Sequence, residues 1–416
     1  NRCRLKGKSG ARGKGCPRKA RDGVHSWKYL EQIAELPPRA SATEGERQAA
    51  AWLNERLEAL GFDVETQPFA SPRYTLYLGP VIVIAVILFA LGLSKFMPAL
   101  ATLLAVAAAV PLVGELLGAP VNFNLLLPKH PSQNVIARPA ATGRRGAPDV
   151  VIVAHYDVQW ASWLFAPWFV RLLQPFFIAA YVGVVLAVIA AAARWLAPGA
   201  GWAGGAASAA AWILALAGGF LFVSWLTGGP SPGANDNGSG VAVALALAER
   251  WTEAARGGGT AGAAALTPWF VFTGCEEVGL RGMHRFLADA DLPKDTIFLN
   301  IDNVGGGRLR YFLGEGMLAY QRYDAGLIEL AAEVSRYSGD QVKPLKNWLL
   351  PTDGLLPAKA GYRALSFLAL CDDHRIPNYH WHTDTIDNVD RSVVELTEQF
   401  LWDCLQAVAA RRPPAA

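Results

Sequence analysis

Four stretches without a single charged residue constrain this chain more than anything else in it. YTLYLGPVIVIAVILFALGLS lies between Arg73 and Lys95, and FMPALATLLAVAAAVPLVG between Lys95 and Glu115. LLQPFFIAAYVGVVLAVIAAAA lies between Arg171 and Arg194, and AASAAAWILALAGGFLFVSWLTGG follows a glycine-rich connector. Each is about 20 residues, the length that crosses roughly 30 Å of hydrocarbon. A helix buried in a soluble core would keep a polar face, and these have none. The connectors SKFMP and ARWLAPGAGWAGG are too short to be domains, so the expectation is two transmembrane helical hairpins, over 74–118 and 171–228. Two hairpins return the chain to the side it left. Blocks 24–73, 119–170 and 229–416 therefore share one side of the bilayer.

The cations flanking the runs suggest which side. Arg73, Lys129 and Arg171 stand on the block side, against Lys95 and Arg194 at the hairpin tips. The positive-inside bias predicts a multi-pass integral membrane protein with its blocks in the cytoplasm. Residues 1–23, NRCRLKGKSGARGKGCPRKARDG, carry much of the basic excess behind the net charge of +3, without hydrophobic periodicity. They read as a disordered, solvated basic tail with no specific nucleic-acid partner. The five cysteines show no framework spacing and no CxxC pair, which supports neither a disulfide scaffold nor a thiolate zinc site.

With the hairpins set aside, the blocks alternate helix and strand. SATEGERQAAAWLNERLEALGF opens with a capping-box pattern, Thr43 to Glu46, puts Ala49, Leu53, Leu57 and Leu60 on one face, and stops at Gly61. FDVETQPF, QNVIARPA, DVVIVAHYDV, TPWFVFTG, DTIFLNIDNVGG and RALSFLAL read as strands, with the turn-rich ATGRRGAPD between the second and third. Helices are expected over GSGVAVALALAERWTEAA, YDAGLIELAAEVSRY and Val389 to Ala409. Strands that are apolar throughout and alternate with helices predict an α/β fold, a three-layer sandwich around a mostly parallel central sheet. The three blocks together form that one domain, with both hairpins inserted into it.

In such sheets ligands gather at the carboxyl ends of strands, and there the polar residues appear. VIVAHYDV supplies His155 and Asp157, two apart and so on one side of an extended chain. SPGANDNGSGVA places Asp236 in a tight turn that opens a helix. FTGCEEVGLRG sets Glu276 beside Glu277, LNIDNVGG ends at Asp302, and NYHWHTDTIDNVD carries His380, His382 and Asp384. An HxD pair alone is more often a core hydrogen bond, and EE at a strand end is usually solvated. Five such motifs at the strand ends of one sheet concentrate negative charge with no Lys or Arg inside them except at their edges, and divalent cations would balance it. Imidazoles and carboxylates without thiolates suit catalytic zinc, with manganese or cobalt also compatible.

The order HYD, GANDN-GSG, EE-G, NxD and YH with Asp-Thr four residues on resembles the di-zinc aminopeptidases. These are of the bacterial leucyl-aminopeptidase type, related to glutamate carboxypeptidase, transferrin receptor and glutaminyl cyclase. The resemblance covers nearly all of the soluble blocks. It implies that His155 and Asp302 hold one zinc ion, Glu277 and His380 the other, and that Asp236 bridges both. It further implies Glu276 as general base and Asp157 as the partner that orients His155. His380, with Asp384-Thr385 behind it, fits the family spacing and His382 does not. Asp353 in LLPTDGLLPAKAGY resembles the family's Ser-Asp segment near the substrate pocket, although Gly354 stands where the family often has His.

The implied activity is hydrolysis of peptide bonds, releasing N-terminal amino acids from a peptide substrate. A carboxypeptidase or dipeptidase could use the same scaffold, since pocket residues decide between them. A non-catalytic membrane scaffold or receptor of this fold would typically have lost ligands, and this chain keeps the full set. A transporter would be expected to carry charged or broken helices inside the bilayer; these segments lack such charges, although Pro80, Pro98 and Pro111 leave room for kinks.

Overall fold

The apolar β-branched runs become the inner strands of a nine-stranded sheet in the computed structural model, which describes residues 25–117, 122–123, 126–140, 148–257, 262–316, 320–347 and 351–411. The basic tail expected over 1–23, and most of the turn-rich stretch before Asp149, lie outside the described residues. The strands are β1 (Phe62–Pro72), β2 (Lys129–Pro139), β3 (Val150–His155), β4 (Trp160–Ala161), β5 (Gly229–Pro230), β6 (Pro268–Thr273), β7 (Ile297–Ile301), β8 (Arg308–Glu315), β9 (Gln321–Arg322), β10 (Lys343–Asn347) and β11 (Arg363–Leu370). The large sheet runs β1-β2-β6-β3-β7-β11-β8-β10, with β9 paired to β8; β4 and β5 form a separate two-stranded ribbon. Pairs β6–β3, β3–β7, β7–β11 and β8–β10 are parallel, while β2–β6, β11–β8 and β8–β9 are antiparallel.

Helices α1 (Ser26–Ala34), α2 (Glu44–Leu60), α7 (Gly240–Arg256), α8 (Arg281–Asp289), α9 (Ala325–Tyr337), α10 (Leu355–Lys359) and α11 (Arg391–Ala410) belong with this sheet. Strand alternation sends Phe298 and Phe367 to opposite faces. Phe298 packs on Phe286 of α8, with ring centroids 6.4 Å apart, and Phe367 packs on Phe400 of α11 at 6.2 Å. Helices therefore cover both faces, and the expected mixed α/β order with a mostly parallel sheet is observed. Strands β8 and β10 escaped the sequence reading. RLRYFLGE and KPLKN carry charges within them, unlike the apolar runs: β10 ends the sheet, where polar side chains meet water, and β8 beside it begins with the exposed Arg308. Helix α2 has the expected bounds but not the expected cap. Thr43 makes no side-chain cap bond, its hydroxyl donates to the Ala40 carbonyl, and Glu46 turns to Ala42 N instead of Thr43 N.

The described chain divides into two compact units. One holds residues up to Phe69, Ser132–Val158 and everything from Pro232. The other, Ala70–Pro131 and Gln159–Ser231, holds the four apolar helices: α3 (Thr75–Leu93), α4 (Pro98–Leu117), α5 (Leu173–Leu196) and α6 (Trp202–Thr227). All four are long and apolar enough to cross a membrane. Pro98 opens α4, where a missing N–H does no harm, while Pro80 and Pro111 lie within α3 and α4. A Cβ on Gly79 would stand 2.5 Å from the Phe123 ring, so only glycine admits that contact. Arg194, in the last turn of α5, donates to the Leu91 carbonyl and to Ser94 Oγ. Phe89, Leu103 and Leu216 are more than half exposed on this unit. Among the described cysteines, Cys275 and Cys404 are buried.

Candidate metal centre

Parallel pairing puts the carboxyl ends of β3, β6, β7 and β11 along one edge of the sheet, and the polar motifs follow directly. His155 ends β3 opposite Thr273, the last residue of β6. Asp302 follows β7, its N–H bonded to the Phe367 carbonyl of β11. Glu276 and Glu277 lie in the turn after β6, which Cys275 reverses with a left-handed φ of 54°. Asp236 sits in the irregular turn 234–239 before α7, and the Asp236–Asn237 peptide is cis. His380 lies on the loop after β11.

These elements bring His155, Asp236, Glu277, Asp302 and His380 into one buried cluster. His155 Nε2 is 3.4 Å from Asp236 Oδ1 and 3.3 Å from Asp302 Oδ1. His380 Nε2 is 2.9 Å from Asp236 Oδ2 and 3.1 Å from Glu277 Oε2. The two oxygens of Asp236 thus face different imidazoles. Among the described residues, three groups bring possible ligand atoms within 4.8 Å of one another: His155 with Asp236 and Asp302, Asp236 with Glu277 and His380, and His155 with Glu276 and Glu277. His382, by contrast, is exposed beside Trp381, as are His284 and His374.

Asp157 lies behind the cluster and is fully buried. Its carboxylate accepts from Glu276 N at 3.0 Å, Glu277 N at 3.2 Å and Ser41 Oγ at 2.6 Å. His155 Nδ1 is 3.2 Å from the Asp157 carbonyl but 3.6 Å from Oδ1, too long for a hydrogen bond. In this geometry the ring is held by the Asp157 backbone, and the carboxylate holds the backbone of the two glutamates. Asp384 does the same for the Asp236 turn, accepting from Asn235 N at 2.8 Å and Asp236 N at 3.0 Å. Burial and the neighbouring Asp236 push its carboxyl up to about 7.

Three buried residues at or near this centre went unnoticed or undervalued in the sequence. Arg39 is fully buried and donates to the carbonyls of Tyr156 and Gly233. Glu46 accepts from Cys275 N at 3.0 Å and from Ser132 Oγ at 2.8 Å, which anchors the turn carrying the two glutamates. Asp353 accepts from Thr273 Oγ1 at the end of β6. The signal for the first two was present in PRASATEGER, but Glu46 there looks like half of a capping box.

The electrostatics show what the cluster lacks. Burial pushes Glu276 well up, as do Glu277, Asp353 and Asp302, with His155 opposing. Burial lifts Glu277 to about 7. Burial would lower both imidazoles, yet Glu276 and the Asp157, Asp236 and Asp302 carboxylates hold His155 well above its ordinary value. Glu277 and Asp236 hold His380 at about 9. Burial alone would raise Asp236, but the two imidazoles keep it well below the usual carboxylate range. The carboxylates therefore draw protons onto histidines that would otherwise be neutral, as a site built for added positive charge does. Two imidazoles and three carboxylates with no thiolate, buried except for the half-buried Glu277, fit zinc.

Comparison with known proteins agrees with this chemistry. Residues 222–404 match the family model for peptidase family M28. A probable lipoprotein aminopeptidase, LpqL, of Mycobacterium tuberculosis is 27% identical over 191 residues, 39% of this chain and 37% of that protein. The match thus spans little more than a third of that relative. Among solved structures, a Zn-dependent exopeptidase from Parabacteroides distasonis aligns with a TM-score of 0.55 at 13% identity, over 92% of this chain and 98% of that one. Tannerella forsythia glutaminyl cyclase gives 0.54 at 14%, over 92% and 98%. The zinc aminopeptidase BSAP from Bacillus subtilis gives 0.53 at 17%, over 91% and 93%. At these identities the likeness is one of fold.

Proposed function

We propose, from the match of residues 222–404 to the peptidase family M28 model, that the chain is a membrane-embedded zinc metallopeptidase that releases N-terminal amino acids from peptides. The observation that carries this reading is the division of Asp236, with Oδ1 toward His155 and Oδ2 toward His380, in two ligand groups completed by Asp302 and Glu277. One carboxylate between two imidazole–carboxylate pairs is the arrangement two metal ions would share. His155 and Asp302 would hold one zinc, His380 and Glu277 the other, with Asp236 between them. Ions bound there would supply the Lewis acidity that activates water and polarises a scissile carbonyl.

The chain's own residues do the rest. Glu276 is the general base: it takes the proton from the attacking water and passes it to the leaving amine. Its backbone N–H, with that of Glu277, is fixed on the Asp157 carboxylate, so one glutamate can serve the metal while its neighbour faces the water. By distance Glu276 also groups with His155 and Glu277. Its role as base and not ligand rests on the family resemblance and is open to direct mutation.

The four apolar helices cross the bilayer as two hairpins, with the peptidase unit on the cytoplasmic side that the flanking cations favour. Outward Phe89, Leu103 and Leu216 would meet acyl chains. The second hairpin lies in the sequence between His155 and Asp236, which favours a membrane-associated or signal-derived peptide as substrate. A carboxypeptidase or dipeptidase on the same scaffold is the alternative. Metal analysis of the purified protein, with a panel of free and N-acetylated aminoacyl substrates, separates these readings. Two zinc ions per chain and cleavage abolished by acetylation are expected. Cleavage that survives acetylation would overturn the aminopeptidase assignment, and a metal-free active protein would overturn the whole reading.

A further inference from the structure

The two residues that face each other across this centre, His155 and Asp236, come from opposite sides of a large insertion. The chain leaves the peptidase unit after Val158, runs through residues 159–231, and returns at Pro232. Local geometry cannot set the spacing of residues so far apart along the chain; something must join the two ends. Arg39 lies between them. Its Nε donates to the Tyr156 carbonyl at 2.8 Å, one residue past His155, and its Nη2 donates to the Gly233 carbonyl at 2.8 Å, three residues before Asp236. The same Gly233 oxygen accepts from Gly238 N at 3.0 Å, the bond that closes the turn around Asp236. The Arg39 carbonyl in turn accepts from Val158 N at 3.1 Å. The departing strand and the returning turn are thus fastened to one side chain.

We propose that Arg39 is a positioning residue of the metal centre: it clamps the two ends of the second apolar insertion so that His155 and Asp236 hold the same ion. The inference rests on the metallopeptidase reading above. Guanidinium suits the task because its planar fork reaches two carbonyls in fixed directions, which a lysine ammonium cannot reproduce. Arg39 is fully buried and ordered by backbone acceptors, and it contributes no atom to the ligand groups. Burial lowers it to about 10, opposed by Asp384, Asp157 and Asp236, so it stays charged at neutral pH. The fit on the far side is close. Gly233 has a φ of +70°, and a Cβ there would stand 2.1 Å from Val158 Cγ1 and 2.9 Å from Arg39 Nη2.

The test uses the full-length protein in detergent, with zinc affinity read by chelator competition and kcat and KM read separately. Arg39→Lys keeps the charge and loses the fork. It should weaken zinc binding by about 10-fold to 100-fold, the range found when groups supporting metal ligands are removed, and lower kcat with KM nearly unchanged. Gly233→Ala disturbs the same clamp from the other side without altering charge, and reads the proposal should Arg39→Lys fail to fold. The double variant should lose little more than the worse single one, because both act on one contact. Folded Arg39→Lys with wild-type zinc affinity and kcat, or fully additive losses in the double variant, would overturn the clamp. Wild-type protein that binds zinc but cleaves no substrate would overturn the peptidase reading instead, and leaves the affinity comparison intact. Wild-type protein that binds no zinc would overturn both.

Discussion

Glu315 allows the electrostatics of this fold to be tested at a group outside the proposed ligand set. It ends β8, is fully buried, and accepts from Thr352 N at 3.2 Å, from Thr352 Oγ1 at 3.0 and 3.1 Å, and from Asn347 Nδ2 at 3.4 Å. Burial pushes its carboxyl from 4.5 up to about 7, with the bonds from Thr352, Tyr323 and Asn347 opposing. A carboxyl raised on folding binds its proton more tightly in the folded chain. Its stabilising contribution is complete below the unfolded value and is lost as pH rises through about 7. At about 1.4 kcal/mol per pH unit, the gap corresponds to roughly 3 kcal/mol as an upper figure. Glu315→Gln keeps the shape and one acceptor oxygen but cannot ionise. Between pH 5 and pH 8 its stability relative to the wild type should therefore rise by most of that amount. Denaturant unfolding of both proteins, followed by tryptophan fluorescence at the two pH values, measures the difference, and other titrations common to both cancel. A difference that does not change with pH, or that moves against Gln as pH rises, would refute the reasoning.

The centre itself yields further predictions. Glu276→Gln should abolish turnover and leave metal content unchanged, whereas Asp236→Ala should lose both metals; full activity of the first variant would remove Glu276 as base. His380→Ala should cost at least one metal by elemental analysis, while His382→Ala, altering an exposed ring, should bind metal and turn over like the wild type. Gly240→Ala would place a Cβ 2.3 Å from Asn237 Oδ1 and 2.5 Å from the Ile301 carbonyl. Such overpacking costs about 1–3 kcal/mol, so a lowered melting temperature is expected. If the four apolar helices span a bilayer, the protein should stay in membranes washed with alkaline carbonate; release into the wash would contradict spanning.

How much of this was legible beforehand follows from the range of the forces involved. The α/β order, the parallel inner strands and the apolar helices were readable, because burial on both faces of a strand or all round a helix imprints the residue pattern itself. The candidate ligands were also readable, since the end of each inner strand is where the chain leaves the core and a carboxylate is otherwise costly. Strands β8 and β10 were not, because charged residues interrupt the apolar pattern in β10 at the edge of the sheet and in β8 beside it. Glu46 was misread for a related reason: three residues after Thr43 its spacing satisfies a local rule, but the donors that claimed it, Cys275 N and Ser132 Oγ, are far away in the sequence.

The sequence alone thus determined which residues can bear the chemistry and at which strand ends they stand. Only the tertiary structure decided how they meet. That Asp236 turns one oxygen to each imidazole, that the Asp157 carboxylate grips the glutamate backbone and not the His155 ring, and that a buried Arg39 joins the segments on either side of the second apolar insertion all depend on contacts between distant parts of the chain. Their partners are mostly backbone N–H and C=O groups, which every residue carries alike, so no residue pattern could announce them.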